Sequence, residues 1–483
     1  MAALLVVLPL LAVVFLNLPH VRLGNRLALL FAALFCAAEG VAALAAPEGF
    51  WNRAASLADI GLTLDLTRLL GTTFLVDALA RVMFLSIAVV GLCAALVARY
   101  AYVDEEQEFR FANLLLLVTA GMNGVVLVHD LFALYVFLEI TAVASLVLIV
   151  IERGKSAFEG AFKYMVMGAV ATSLLLTALA LLFIGAGGTS FEEVAAGLRA
   201  SGTSKLELVA LAMFLVGLAI KAGLVPFHGW LPDAYSAAPA PVSVLLAGIV
   251  TKTTGVYTLI RLVDAVFGYG EPIRRALLVV GAVSVVIGAV SALAQRDLKR
   301  MLAYSSISQV GYIVLGLAAG PGLGLAGAVF HLFNHSVFKT LLFVNSAAVE
   351  RQAGTRDMDE LGGISSRMPV TGTTSVIALL STAGIPPFSG FWSKLLIIIA
   401  LWQAGHPGFA ALGVAASVLT LAYFLSMQRR VFFGKLAERC SRLEEADAWG
   451  LAPALALAAV TVALGVAAPW LFQTFLLPVR SIL

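Results

Sequence analysis

The chain predicts an all-α polytopic membrane protein of about fourteen transmembrane helices, with two inverted five-helix repeats and two broken helices. Hydrophobic residues make up 61% of its 483 positions and charged residues only 12%, and the mean hydropathy is +1.00. That composition belongs to a membrane protein. The apolar segments run about 18–25 residues, the length a helix needs to cross roughly 30 Å of hydrocarbon. Two of them are broken by proline in comparable places of the two halves of the chain. Paired broken helices are the sequence mark of an ion transporter built from inverted repeats.

Residues 1–105 hold three spans, beginning near positions 2, 26 and 74. Residues 1–18 lack the basic flank and small-residue cleavage site of a signal peptide, so they count as the first span. Glu39 is a lone acid in the second span, and a helix-contact role is its simplest reading. Asp77 and Arg81 are four apart on the third span and share a helix face. A local ion pair is the expected reading there, with an accessory part in ion movement as the alternative.

Residues 106–265 form the first repeat, with spans beginning near 111, 130, 161, 207 and 238. Glu139 lies in the second of these. Glu159 and Lys163 repeat the four-residue spacing near the start of the third, where the lysine could instead snorkel to the interface. Residues 221–232, KAGLVPFHGWLP, break the fourth span: Pro226 removes a helix hydrogen bond, and Gly229 and Pro232 follow closely. His228 sits inside that break, either bonding freed backbone or assisting a proton. Lys252 lies deep in the fifth span.

Residues 266–435 form the second repeat, with spans beginning near 272, 301, 322, 369 and 409. His331, His335 and Lys339 recur every four residues and so share one helix face. A proton relay and a satisfied packing network both suit them. A metal site is disfavoured, because no carboxylate accompanies the histidines and the lysine would repel a cation. Residues 383–394, AGIPPFSGFWSK, repeat the break with Pro386, Pro387 and Gly390 and end in Lys394. An odd number of spans per unit makes the second copy inverted. Residues 436–483 supply a connector and a last helix from about 450; the stretch from Gln428 to Trp449, rich in both charge signs, reads as amphipathic.

Five lysines thus fall within apolar spans: Lys163, Lys221, Lys252, Lys339 and Lys394. One charged side chain at the bilayer centre costs roughly 2.5–3.5 kcal/mol, and such groups mark ion pathways by default. Burial disfavours a lysine's charged form and a nearby carboxylate restores it, so a lysine between those influences can load and release a proton. Basic loop residues set the orientation. The odd-numbered connections carry the excess, from Arg22 and Arg26 through Arg99, Arg110, Arg296 and Lys299 to Arg429 and Arg430; the other side has Arg53, Arg68, Arg199, Lys205, Arg261, Arg274, Arg275 and Arg480. Both termini are therefore expected on the non-cytoplasmic side of the cell membrane.

Cys36, Cys93 and Cys440 lie far apart without metal-ligand spacing, which argues against an iron–sulfur cluster within the chain. Nucleotide-binding loops are not found. Electron transfer, if coupled, is expected elsewhere.

The stretch from Ile220 to Tyr257, IKAGLVPFHGWLPDAYSAAPAPVSVLLAGIVTKTTGVY, resembles the signature of the antiporter-like membrane subunit family. That family is shared by the proton-pumping subunits of respiratory complex I, Mrp-type Na+/H+ antiporters and energy-converting membrane-bound hydrogenases. Supporting stretches are LYVFLEI ending at Ile140, QRDLKRMLAYSSISQVGY from Gln295, HLFNHSVFKTLLF from His331, and GIPPFSGFWSK ending at Lys394. The resemblance spans about residues 110–435. It implies fourteen helices, with each repeat a half-channel joined by a polar axis at mid-membrane. It also implies roles in the proton pathway for Glu139 and Lys221 as a gated pair, Lys252 as the connecting residue, His331 and His335, and Lys394.

The leading expectation is a proton-translocating subunit of a redox-driven pump, of the NADH:quinone oxidoreductase type or membrane hydrogenase type. Iron–sulfur, flavin, nickel–iron or quinone groups would then sit in partner subunits. The alternative is a subunit of an Mrp-type Na+/H+ antiporter without redox chemistry. A long lateral helix after the last span, such as the largest complex I subunit of this kind carries, is not expected, and Lys394 stands where another of those subunits carries glutamate. A carrier of organic solutes fits poorly, because the titratable residues are spread over several helices. A pure scaffold leaves the lysines without a use. The expected partners are other membrane subunits, protons or Na+, and lipid, with no nucleic acid.

Overall fold

The computed structural model describes residues 2–18, 25–51, 74–200 and 204–471. Arg22, Arg53, Arg68 and Arg480, used in the orientation reading, lie outside the described residues. Helices α1 (Leu4–Leu16), α2 (Asn25–Ala45) and α3 (Ala78–Ala101) form the N-terminal region. Then come α4 (Glu105–Leu127), α5 (Leu131–Ile149) and α6 (Lys155–Ala186). Next, α7 is in two pieces, Lys205–Ala222 and Trp230–Ala237, and α8 runs over Ala240–Phe267. The second set is α9 (Glu271–Leu293), α10 (Leu298–Ala318), α11 (Leu323–Ala353), α12 in two pieces (Pro369–Ala383 and Ser389–Gln403) and α13 (Pro407–Gln428). Finally α14 covers Ala448–Leu471. The chain is a multi-pass membrane protein, and the broken helix is the fourth of five in both α4–α8 and α9–α13.

Ten of the described helices are long and apolar enough to cross a membrane. α11 is long but polar on the face of His331, His335 and Lys339, and α1, at 13 residues, is short. Burial explains where polarity is tolerated. The apolar windows of α8 and α10 are 100% and 94% enclosed by protein, against 28% for α6 and 33% for α13. The central helices can therefore carry polar side chains that lipid would penalise.

Local chemistry sets the helix ends. Asp77, Asp104, Asp130 and Asp297 cap α3, α4, α5 and α10, each accepting a backbone N–H of the first turn at 2.8–3.0 Å. Ser204 and Glu207 close a capping box on α7. The pair α9–α10 packs backbone against backbone: a Cβ on Gly288 would come within 2.5 Å of the Ser308 nitrogen.

Each break has the same plan. The first piece of α7 ends at Gly223 (φ +67°) and that of α12 at Gly384 (φ +84°), both in the left-handed region glycine favours. Proline follows three residues on in both, at Pro226 and Pro387, with a cis peptide bond before it.

Candidate functional site

At the first break, Lys221 occupies the last turn before Gly223, and its side chain is only 6% exposed. Its Nζ lies 3.1 Å from Glu139 Oε1 on α5. The same oxygen accepts from Thr172 Oγ1 of α6 at 2.5 Å. Trp230 Nε1 donates to the Ile220 carbonyl at 3.0 Å, fastening the second piece of α7 to the first. Beside Lys221 is a cavity of about 20 Å³ lined by Tyr164, Trp230, Thr251 and Thr254. It has room for one water and leads toward α8.

The second piece of α7 carries Asp233, which accepts from Lys163 at 2.7 Å and from Arg300. Close by, Lys299 is 1% exposed, pairs with Glu350 of α11 at 2.6 Å and donates to the Ala238 carbonyl at 3.2 Å. Lys299, Glu350 and Glu152 line a cavity of about 620 Å³ at this end of the bundle. The sequence pattern places Lys299 in a connecting loop. The signal it passed over was the absence of any breaker between Lys299 and the apolar run of α10.

Lys252 lies in a stretch of α8 wound as π-helix, Leu246–Val250 and Lys252–Tyr257. Its Nζ donates to the carbonyl of Ala247, five residues back. Such wide turns occur often at functional sites. His335 of α11 is within electrostatic reach of Lys252, Lys339, His331 and Lys394 at once, which makes it the centre of the arrangement. Lys339 donates to the Leu302 carbonyl at 3.1 Å and to Ser305, with its ammonium over the Phe424 ring at 5.7 Å. The rings of His331 and His335 lie 6.4 Å apart and nearly parallel.

At the second break, Lys394 Nζ reaches back to the Thr382 carbonyl at 2.8 Å, an acceptor freed by the interruption of α12. The ammonium sits 4.5 Å from the centre of the Tyr312 ring, and Tyr312 Oη donates to the Gly413 carbonyl at 2.6 Å. His331 Nδ1 is 2.8 Å from Ser393 Oγ, one residue before Lys394. Lys252, Lys339 and Lys394 therefore have main-chain carbonyls as acceptors, whereas Lys221 has a carboxylate.

The accessory residues are placed differently. The expected Asp77–Arg81 ion pair is not formed. Asp77 instead holds Arg261 of α8, with Arg261 Nη2 at 2.8 Å and Nη1 in contact, while Arg81 donates to the carbonyls of Ala43, Leu44 and Ala46. Asp77 as a helix cap has its carboxylate aimed at the N-terminal end, away from a residue four positions onward. Arg261, read from sequence as a loop residue, is 6% exposed inside α8. Lys163 does pair with Glu159, at 2.6 Å, and adds Asp233. His228 lies in the break near the Pro226 carbonyl and edge-on to Tyr304. Among the described residues no three His, Cys, Asp or Glu side chains converge as a metal site.

A carboxylate–lysine pair, a lysine in a wide helical turn, a histidine–lysine face and a lysine at a second break make up a band of buried polar groups on α5, α7, α8, α11 and α12. Fold and band together define a membrane protein with the build of an ion-translocating subunit. Residues 128–420 match the family described as NADH:quinone oxidoreductase/Mrp antiporter, TM, and the chain belongs to that family. It is similar to NADH-quinone oxidoreductase subunit N of Desulforudis audaxviator, 37% identical over 77% of this chain and 75% of the relative. It is also similar to a Na(+)/H(+) antiporter subunit of Alkalihalophilus pseudofirmus, 32% identical over 83% of this chain and 82% of that relative. A chain in the solved Mrp complex from Dietzia sp. superposes with a TM-score of 0.87, at 28% identity, covering 100% of this chain and 98% of that one.

Proposed function

We infer that this chain is the proton-translocating, antiporter-like membrane subunit of a multi-subunit complex. The observation that carries the reading is the Glu139–Lys221 contact of 3.1 Å beside a broken helix, with Lys394 beside the matching break in the second repeat. Residues 106–265 and 266–435 act as two half-channels. Lys221 loads and releases a proton as Glu139 approaches or withdraws, and Lys252, His335, Lys339 and His331 pass charge along the central band to Lys394. Residues 1–105 and 436–483 flank the half-channels, and the connections richer in Lys and Arg face the cytoplasm. Both termini then lie on the opposite side of the cell membrane.

Similarity to an NADH-quinone oxidoreductase subunit supports a redox-driven pump, with redox cofactors held by partner subunits. Similarity to a Na(+)/H(+) antiporter subunit, and to a chain of an Mrp complex, supports a second reading in which Na+ and H+ exchange without redox chemistry. The experiment is purification of the tagged chain from its native membrane in mild detergent, reconstitution of the complex in liposomes, and a pH-sensitive dye assay. Lys221→Ala and Lys394→Ala are expected to abolish dye response at normal subunit levels; an unchanged response in both overturns the reading. Mass spectrometry of the same preparation separates the branches, since redox subunits favour the first and small hydrophobic subunits alone the second.

A further inference from the structure

Glu39 differs from the other enclosed acids of this protein. Among the described residues, Glu39, Glu108 and Glu207 are buried. Glu108 pairs with Arg99 at 2.7 Å, and Glu207 belongs to the capping box with Ser204. Glu39, 1% exposed along α2, is acted on by no basic side chain. Neither of its carboxyl oxygens accepts a hydrogen bond of normal geometry.

The groups facing Glu39 are polar and none of them is positively charged. Asn123 of α4 is its neighbour and gives its amide nitrogen to the Leu5 carbonyl of α1 at 3.1 Å, leaving Oδ1 unpartnered. Thr119, one turn earlier on α4, is buried with Oγ1 also unpartnered. Cys36 lies one turn before Glu39, beside both Thr119 and Cys93 of α3. Among the described residues these two thiols are the titratable groups around the carboxyl, since α1 has none along Leu4–Leu16. Arg81 of α3 is engaged by the carbonyls that end α2.

Four enclosed oxygens from three side chains thus have no hydrogen bond of normal geometry and no counter-charge beside them. A buried acceptor without a partner is costly, and an ionised carboxylate without a counter-charge far more so. A proton on Glu39 neutralises the carboxyl, yet with the Thr119 hydroxyl it supplies only two donors to four oxygens that can each accept. A divalent cation leaves an uncompensated charge in an apolar bundle. One small monovalent cation neutralises one carboxylate and coordinates the remaining oxygens as well. The lysine band of the repeats repels such an ion; here Glu39 of α2 lies outside the repeats and meets Thr119 and Asn123 on α4, the first helix of the first repeat.

We propose that Glu39, Thr119 and Asn123 form a sodium site in the α1–α4 bundle, at which Na+ and H+ exchange. It stands independently of how the repeats carry protons.

Dicyclohexylcarbodiimide, which modifies protonated carboxyl groups in apolar surroundings, tests it on the intact complex in native membranes. Labelling of Glu39, read by peptide mass spectrometry at fixed pH, is expected in choline chloride. In sodium chloride at about nine times the dissociation constant it should fall about tenfold, by the factor one plus ligand over dissociation constant, while labelling of Glu139 stays unchanged. Equal labelling of Glu39 in both salts, or none in either, overturns the proposal. Binding of radioactive sodium by the purified complex gives a second readout. Glu39→Gln should abolish that binding and Thr119→Val weaken it, with Glu139→Gln leaving it intact; retention of full binding by Glu39→Gln overturns the proposal.

Discussion

Glu139 uses a single oxygen, Oε1, to accept from both Lys221 and Thr172. The carboxylate is thereby shared between a helix that breaks, α7, and one that does not, α6. Thr172 gives the carboxylate a second anchor besides Lys221. Glu139→Gln removes the charge that holds the lysine ammonium and should lower proton translocation about tenfold or more. Thr172→Val removes one neutral donor, worth about 1 kcal/mol, and should lower it only several-fold. Dye quenching in inverted vesicles reads both, and equal effects would remove the distinction.

Lys394 stands ten residues beyond Gly384, as Asp233 stands ten beyond Gly223, so the two breaks carry opposite charges at one position. Lys394→Ala should abolish translocation without lowering subunit content, and Lys252→Ala should reduce it, with water in the vacated space partly substituting. Immunoblotting beside the transport assay checks both parts.

The Asp77–Arg261 pair ties α3 to α8 across 184 residues of sequence. Arg261→Ala leaves a largely enclosed carboxylate without its partner and should destabilise the protein by about 3–5 kcal/mol. The double change Asp77→Asn with Arg261→Met should cost less than Arg261→Ala alone. Thermal unfolding in detergent measures the difference.

Glu152, in the connection between α5 and α6, is pushed above its ordinary 4.5 by burial; Lys299 pulls it down and Glu350 adds to the rise. A carboxyl raised in the folded state favours folding fully below its unfolded value, and that contribution is lost as pH rises through the folded one. Glu152→Gln should therefore raise the melting temperature at neutral pH and leave it unchanged near pH 4, when both are measured across that range.

Gly390 faces the Ser381 carbonyl so closely that an added Cβ would overlap it. Gly390→Ala should force the two pieces of α12 apart at a cost of about 1–3 kcal/mol or more, and translocation should fall with it. Normal transport in this variant would show that the break tolerates widening.

The spans were legible because hydropathy and length are local properties, and both breaks were legible because proline acts where it stands. The contact of Glu139 with Lys221, 82 residues apart, needed the family resemblance. Arg261 and Lys299 were misplaced for a physical reason: a cation at the end of an apolar run looks the same whether it meets water or a distant carboxylate. The wide turns of α8 have no residue signature at all in KTTGVY.

Three of the lysines are held by oxygens that no codon specifies. The acceptor of Lys394 is the main-chain carbonyl of Thr382, that of Lys252 belongs to Ala247, and Lys339 has that of Leu302 beside the Ser305 hydroxyl. A side-chain scan would pass over those three positions as silent so long as the helix shape survived. Only a change to the peptide group itself, such as an ester in place of the amide at Ala383, would expose what the backbone contributes there.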